Sequence, residues 1–490
     1  MDFTFVLCGI AVLYGVLLFF DLFFKSCMLK PYICFLKGTG ISIKFFQIKW
    51  ETTIFNRLFL RWGNTPTQWS IWFTWGMYLT LLILPVSVLL LIIALSQNFI
   101  STNVAGVYKS SNLVIEPLIP GLNLPASEIG YYSLSLILCS IIHELGHAIS
   151  SVKEDVHIIN VGINILYILP VAYVNLSSER LNALNPWRAL RILCAGIWHN
   201  LVLSMIAYLL YCSLPYVYTI AFNLNQGIIV TDMKENSPLM GSRGLEVHNV
   251  ITKINLCEIK NEADFYNCLH RAYVDKRGYC VHADMVHDLD ESIPLKYTSN
   301  GLDCCDEEKT DNLCFEYVDH NDGVLEIPPH VCLPARTVVE TATLTCGGVS
   351  NIECSNKLHC IKPMLDNVTT LIKIMRENRP DVIYIGHPGD LIQTITVSSF
   401  IPKHWTSTLL FPDMVMKFLE YIIVISTGLA LINVIPCLFM DGQHITNCLV
   451  DILMTNTPRE KARMVATFIC LCSTVILLFH CFYTIWLKLV

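Results

Sequence analysis

Charge is scarce in this chain. Only 15% of its 490 residues are Asp, Glu, Lys or Arg, whereas soluble globular domains carry about 25%. That shortage excludes an ordinary soluble fold. The net charge of −7 comes without a basic run, which excludes the electrostatic footprint of a nucleic-acid partner. There is no acidic tail and no low-complexity tract, so long solvated arms are excluded too. The 21 cysteines include no CxxC…CxxC pair, which argues against a zinc ribbon. What fills the chain is apolar: 53% of residues are hydrophobic, and the mean hydropathy is +0.52.

A spanning helix needs roughly 20 apolar residues. Six stretches qualify, at about 3–24, 69–96, 129–152, 189–217, 414–437 and 462–488. The first opens Met1-Asp2-Phe3, with neither a basic n-region nor a small-residue cleavage site, so a retained anchor is expected. A further apolar stretch, Val156 to Leu176, is broken by Gly162, Asn164 and Pro170 and is rich in Ile and Val. It suits strands or a re-entrant loop lining a cavity better than a lipid-facing helix. The fold class expected is therefore a polytopic α-helical membrane protein with about six transmembrane helices and a re-entrant β element.

The loop at 25–68 carries Lys25, Lys30, Lys37, Lys44, Lys49, Arg57 and Arg61, while that at 97–128 carries only Lys109. Positive-inside logic puts the first in the cytosol. Counting spans then places 218–413, the one large polar segment, on the lumenal side and gives lumenal termini; an extra re-entrant pass near the start would flip the ends without moving that segment. Ten cysteines fall between 257 and 360. An even number in one polar segment reads as a disulfide framework in an oxidising compartment, with pairing undetermined. The other eleven are expected to be small core hydrophobes. Asn367-Val-Thr369 is a glycosylation sequon on the lumenal side; Asn175-Leu-Ser177 falls on the cytosolic or buried side.

The polar segment opens with Gly227-Ile-Ile-Val230, then Ser237-Pro238, Gly244-Leu245 and Val250-Ile-Thr-Lys-Ile254-Asn255. The expected order is strand, turn, short helix, strand. This resembles a PDZ domain, with a generic β domain as the alternative. A cysteine-rich insertion covers about 271–365, and Asp381 to Ser399 is expected to supply late strands. The domain plan is thus 1–128 for anchors and loops, 129–217 for the first half of a membrane core, 218–413 for the lumenal β-rich domain, and 414–490 for the second half of the core and the last helix.

The chemistry concentrates in His143-Glu144-Leu145-Gly146-His147, an HExxH motif inside an apolar span. On a helix its histidines lie at i and i+4 on one face and can grip one Zn²⁺, with the glutamate placed to act on a metal-bound water. Ionisable groups in hydrocarbon are expensive unless partnered, so an intramembrane trio is functional by default. Catalytic zinc takes three protein ligands and keeps a position open. The best third candidate is Asp441, where Pro436 and Gly442 break the fifth span. Alone, Asp441-Gly442 reads as an interfacial turn; beside an intramembrane HExxH the ligand reading wins. In Ala195-Gly196-Ile-Trp-His199-Asn200, Gly196 allows close helix approach. Asn200 is either an interhelical hydrogen bond or an amide that stabilises a developing oxyanion or holds substrate backbone. His199 reads as structural rather than as a fourth ligand.

These features together resemble the eukaryotic site-2 protease family of intramembrane zinc metalloproteases, over nearly the whole chain. The resemblance implies one Zn²⁺ per chain held by His143, His147 and Asp441, with Glu144 catalytic. Met440 replaces the leucine of the family's Leu-Asp-Gly. The serine-rich loop of vertebrate members is absent from 97–128. The resemblance further implies a Golgi or ER membrane location. It implies membrane-spanning substrates already cut by a lumenal protease, such as tethered transcription factors of the sterol-regulatory and unfolded-protein-response type. The partners are those substrates and the lipid bilayer. The alternative is an inactive relative serving as a membrane chaperone or retention factor. A zinc transporter would require an internal repeat, and none is visible.

Overall fold

The computed structural model describes residues 3–64, 68–102, 124–167, 169–241, 243–298, 301–306, 311–318, 330–342, 344–347, 354–355, 358–404 and 409–489. Lys109 and most of the loop at 97–128 lie outside them. The chain divides into two units, residues 1–214 with 416–490, and residues 215–415.

The first unit is built on long helices: α1 (Phe3–Ser26), α2 (Gln68–Thr102), α3 (Ile129–Lys153), α4 (Pro186–Tyr218), α5 (Phe411–Val434) and α6 (Arg459–Leu489). Each contains a stretch long and apolar enough to cross a membrane, and the chain is a polytopic membrane protein. The outermost helices leave large apolar side chains exposed, among them Phe19, Phe20, Leu82, Phe468, Phe482 and Trp486. In water such a surface would drive aggregation; in lipid it is the solvated face. The inner helices bury small and polar residues instead. Cys139, Ser140, Cys194, Ala195, Gly196 and Asn200 of α3 and α4 are all buried. Without a hydrophobic drive between helices in lipid, close packing and short polar contacts hold them together. Ser150 Oγ donates to the Arg191 carbonyl at 3.2 Å, and Ser204 Oγ and Thr427 Oγ1 share a hydrogen bond of 2.6 Å between α4 and α5.

The stretch 156–176 folds as an antiparallel hairpin, β3 (Ile158–Leu166) and β4 (Leu169–Leu176). It does not stand alone. Two strands from the loop at 25–68, β1 (Ile41–Lys44) and β2 (Gln47–Thr52), extend it to a four-stranded sheet of order β1-β2-β3-β4. The positive charge of that loop does not mark its strands. The alternations Ile41-Ser-Ile-Lys44 and Gln47-Ile-Lys-Trp50 carry the period of a half-buried strand. The turn between them lacks Gly, Asn or Asp; Phe46 itself takes a left-handed φ of 54°. The Tyr14 hydroxyl of α1 donates to the Tyr167 carbonyl at 3.0 Å, tying the first helix to the β3–β4 turn.

The second unit holds two antiparallel sheets. One runs Arg379–Gly386, Thr370–Arg376, Val250–Ile254, Ile228–Met233, Ile395–Ser398, with Cys257–Glu258 paired to Val250–Ile254. Ile228, Ile251, Ile254, Phe265, Leu269, Ile372 and Leu391 form its core against helices Glu262–Val274 and Pro388–Thr394. One expectation needs correction here. Residues 234–249 contain turns, and no helix among those described; Pro238, Gly241 and Gly244 deny a helix both donors and propensity. Asp381 to Ser399 contributes late strands as expected, in Arg379–Gly386 and Ile395–Ser398, with a helix between them that His387-Pro388 starts, His387 Nδ1 accepting from the Gly389 amide at 2.9 Å.

The second sheet runs His330–Pro334, Asn312–Tyr317, Leu358–Pro363, Gly278–His282, Thr345–Cys346 around Phe315, Val331, Leu333 and Ile361. All ten cysteines of the segment are paired: Cys257–Cys268, Cys280–Cys354, Cys304–Cys314, Cys305–Cys332 and Cys346–Cys360. The first bridge staples the first sheet; the other four hold the second, whose core is smaller. Of the eleven remaining cysteines, Cys139, Cys194, Cys437 and Cys470 are buried, whereas Cys8, Cys27, Cys34, Cys212 and Cys472 are exposed.

Candidate metal centre

His143 and His147 lie on the inner face of α3, with only 8% and 9% of their side chains exposed. Asp441 comes to them from the far end of the chain. After α5, the chain turns at Pro436, Phe439 takes a left-handed φ of 67°, and Asp441 opens the helix Asp441–Leu453. A carboxylate at a helix N-terminus is favoured by the helix dipole. Gly442 is required beside it: a Cβ there would sit 2.0 Å from the Ile435 carbonyl oxygen. Behind this turn, Met77, Leu190, Ile197, Ala430, Val434 and Ile445 form one buried cluster joining α2, α4, α5 and the new helix.

Three donor atoms thereby converge. His143 Nε2 is 2.9 Å from Asp441 Oδ2 and 3.1 Å from His147 Nε2, and His147 Nε2 is 3.3 Å from the same carboxylate oxygen. Donors on a tetrahedral zinc with bonds of about 2.0–2.1 Å stand roughly 3.3 Å apart. The donor set and its spacing fit such an ion. Among the described residues one other group of donors is as tight, Cys280, Cys346 and Cys354, but these are spent in disulfides.

The surroundings prepare the two histidines. His147 Nδ1 is 2.8 Å from the Ile192 carbonyl. A carbonyl only accepts, so Nδ1 carries the hydrogen and Nε2 keeps its lone pair towards Asp441. Asn200 is fully buried, and its side-chain amide lies 3.2 Å from His143 Nδ1. Gly196 forms the wall beside both rings: a Cβ there would lie 2.4 Å from His147 Nε2 and 2.6 Å from His143 Nε2. Its role is thus more specific than helix approach. His199 faces away, its Nε2 accepting from Trp72 Nε1 at 3.3 Å.

Glu144 contacts the sheet. Its Oε2 accepts from the Val174 amide at 2.9 Å, and Ser140 Oγ accepts from the Ala172 amide at 2.7 Å. Positions 172 and 174 share one side of β4, the side turned away from β3. Pro170 shares that phase and has no N–H. At three successive outward positions, therefore, the sheet edge presents no free donor: one is absent and two are held by α3. An edge at membrane depth has to satisfy its donors internally. The Ala172 and Val174 amides are backbone donors that leave no mark in the sequence, so the roles of Ser140 and Glu144 as their acceptors are visible only in the fold.

At the end of α3, Glu154 is 95% buried between α3 and α4. It pairs with Arg188 Nε at 2.5 Å and Arg191 Nε at 2.7 Å. Near the other end, Glu128 pairs with Lys417 and Tyr421 of α5, each at 2.5 Å. The HExxH helix is thus pinned at one end to α4, which supplies Gly196 and Asn200, and at the other to α5, which leads to Asp441.

Residues 131–477 match the family described as peptidase family M50. The chain is also 24% identical over 415 residues to the membrane-bound transcription factor site-2 protease homolog of Arabidopsis thaliana, a match covering 75% of this chain and 79% of that protein.

Proposed function

The chain belongs to peptidase family M50 and is a membrane metalloprotease, and we propose that it is a zinc endopeptidase cutting within the membrane-spanning segments of other proteins. The observation that carries this reading is the convergence of His143, His147 and Asp441 next to Glu144 at the edge of a β-sheet. Zinc held by those three residues would supply a Lewis acid and lower the pKa of water towards about 7. Glu144 takes the proton of the attacking water and delivers it to the leaving amine. The two histidines and the aspartate orient the reacting groups, and burial keeps bulk water out.

A transmembrane helix hides its carbonyls in its own hydrogen bonds, so the cut segment has to unwind. The outer edge of β4 offers it a template as an added strand. Such a strand would take over the Ala172 and Val174 donors from Ser140 and Glu144, freeing the carboxylate when substrate is in place. The Arabidopsis relative's name speaks of a membrane-bound transcription factor. On that basis the substrates are tethered transcription factors of sterol-regulatory or stress type, shortened first by a lumenal protease. The location is the Golgi or ER membrane, with the five disulfides in the lumen. The sheet of the second unit with its two helices is read as a PDZ-like domain that receives or excludes the lumenal stub.

The test is release of the cytosolic fragment from a reporter carrying a pre-shortened membrane helix, by wild type and Glu144→Gln. A loss of about 10²–10⁴ in rate is expected for removal of a general acid–base. Equal release by both proteins refutes the catalytic assignment.

A further inference from the structure

A histidine that binds metal through Nε2 has to carry its hydrogen on Nδ1, and that hydrogen wants an acceptor. For His147 the acceptor is the Ile192 carbonyl, 2.8 Å away. For His143 the group at Nδ1 is the amide of Asn200, 3.2 Å away. That amide is fully buried, and Ser426 Oγ donates to the Asn200 backbone carbonyl at 2.9 Å, holding the residue in α4 against α5.

An asparagine amide can present either of two faces. With Nδ2 turned to the ring, His143 Nδ1 has to accept, and the hydrogen of the neutral imidazole moves to Nε2, the atom facing Asp441 and His147. A protonated Nε2 cannot be a ligand. With Oδ1 turned to the ring, Nδ1–H donates and the Nε2 lone pair is free. In the first setting Oδ1 is buried without a partner; in the second, the amide nitrogen takes that place. Packing therefore does not choose between the faces. The ligand requirement of His143 does.

We infer that Asn200 is the positioning residue of His143, its Oδ1 accepting from Nδ1–H and so fixing the ring in the tautomer that binds zinc. This rests on the metal-site reading of His143, and it makes Asn200 a partner of the ligand rather than of the substrate. Both histidines are then prepared by acceptors from one helix, α4, through the Ile192 carbonyl and the Asn200 side chain.

The test is equilibrium zinc affinity of the purified full-length chain, by competition with a chromophoric chelator. Wild type, Asn200→Asp, Asn200→Leu and His143→Ala are compared, with thermal unfolding of each as the folding control. Asp is an acceptor of similar size, and Leu is a similar volume without one. Asn200→Leu is expected to weaken zinc binding by about 10- to 100-fold, while Asn200→Asp stays near wild type. A fold-only role would move the Asp and Leu variants together. Equal loss in both variants, or wild-type affinity in Asn200→Leu, overturns the inference while leaving the ligand set intact. Wild-type affinity in His143→Ala instead overturns the ligand set, and the inference with it.

Discussion

Glu144 Oε2 accepts a hydrogen bond from the Val174 amide at 2.9 Å, so the acidic residue of the HExxH motif caps the open edge of β4. The same contact gives one donor two uses. The Val174 amide donates to Glu144 at rest, and in the proposed reaction it donates to substrate.

Val174→Pro removes that donor and nothing else from the ladder, because the amide points away from β3 and proline is tolerated on an edge. A hydrogen bond from a backbone amide to a neutral substrate carbonyl is worth about 0.5–1.5 kcal/mol, and about 1.4 kcal/mol is tenfold in rate. The variant is expected to keep its zinc and to lose about two- to tenfold in kcat/KM on a membrane-embedded reporter. Unchanged kcat/KM would show that the edge does not pair with substrate at this position.

Metal content separates the ligands from the catalytic acid. Elemental analysis of wild type and Glu144→Gln should find one zinc per chain, and His143→Ala and Asp441→Ala should find none. Retention of the full amount in Asp441→Ala would take the aspartate out of the site.

Gly196→Ala places a methyl against both histidine Nε2 atoms. Overpacking of this kind costs about 1–3 kcal/mol, which a folded chain can tolerate but a metal site cannot. The variant should fold, by thermal unfolding, and bind no zinc. Normal zinc content would mean that the wall beside the rings yields more than the packing around it suggests.

Glu154→Gln should lower Tm in detergent. A fully buried ion pair broken on one side costs 3–5 kcal/mol. Here the arginine side chains are 40% and 24% exposed, and solvent screening brings the expected loss to about 1–3 kcal/mol. An unchanged Tm would mean that Arg188 and Arg191 do not clamp α3 to α4.

Glycosylation reports the side of the membrane. Asn367 is exposed, and its sequon should carry a glycan, lost as a gel shift in Asn367→Gln. Asn175 donates to Asn160 Oδ1 at 2.6 Å between the strands of the β3–β4 hairpin, so Asn175→Gln should not shift. A shift from Asn175→Gln alone would invert the proposed topology.

Much of this protein is legible in its sequence, for identifiable reasons. Long apolar runs have one physical outcome, because a backbone in hydrocarbon has to close its own hydrogen bonds; all six runs became long helices. HExxH is a local pattern, since i and i+4 share a helix face whatever surrounds them. An even cysteine count in a polar segment indicates bridges but not their pairing, which depends on distances between strands far apart in the chain.

Only the tertiary structure decided the rest. Asp441 could be nominated as a third ligand, but nothing in its neighbourhood states that it stands 2.9 Å from a side chain 298 positions earlier. The partners β1 and β2, the Val174 amide on Glu144 and the acceptors behind the two rings are backbone or long-range relationships. They follow from how α3, α4 and the hairpin pack, and a residue's identity does not encode which carbonyl or amide will face it. The sequence determined which groups this membrane protein has available for chemistry. The packing decided which of them meet, because convergence at hydrogen-bond distance is a property of the assembled helices.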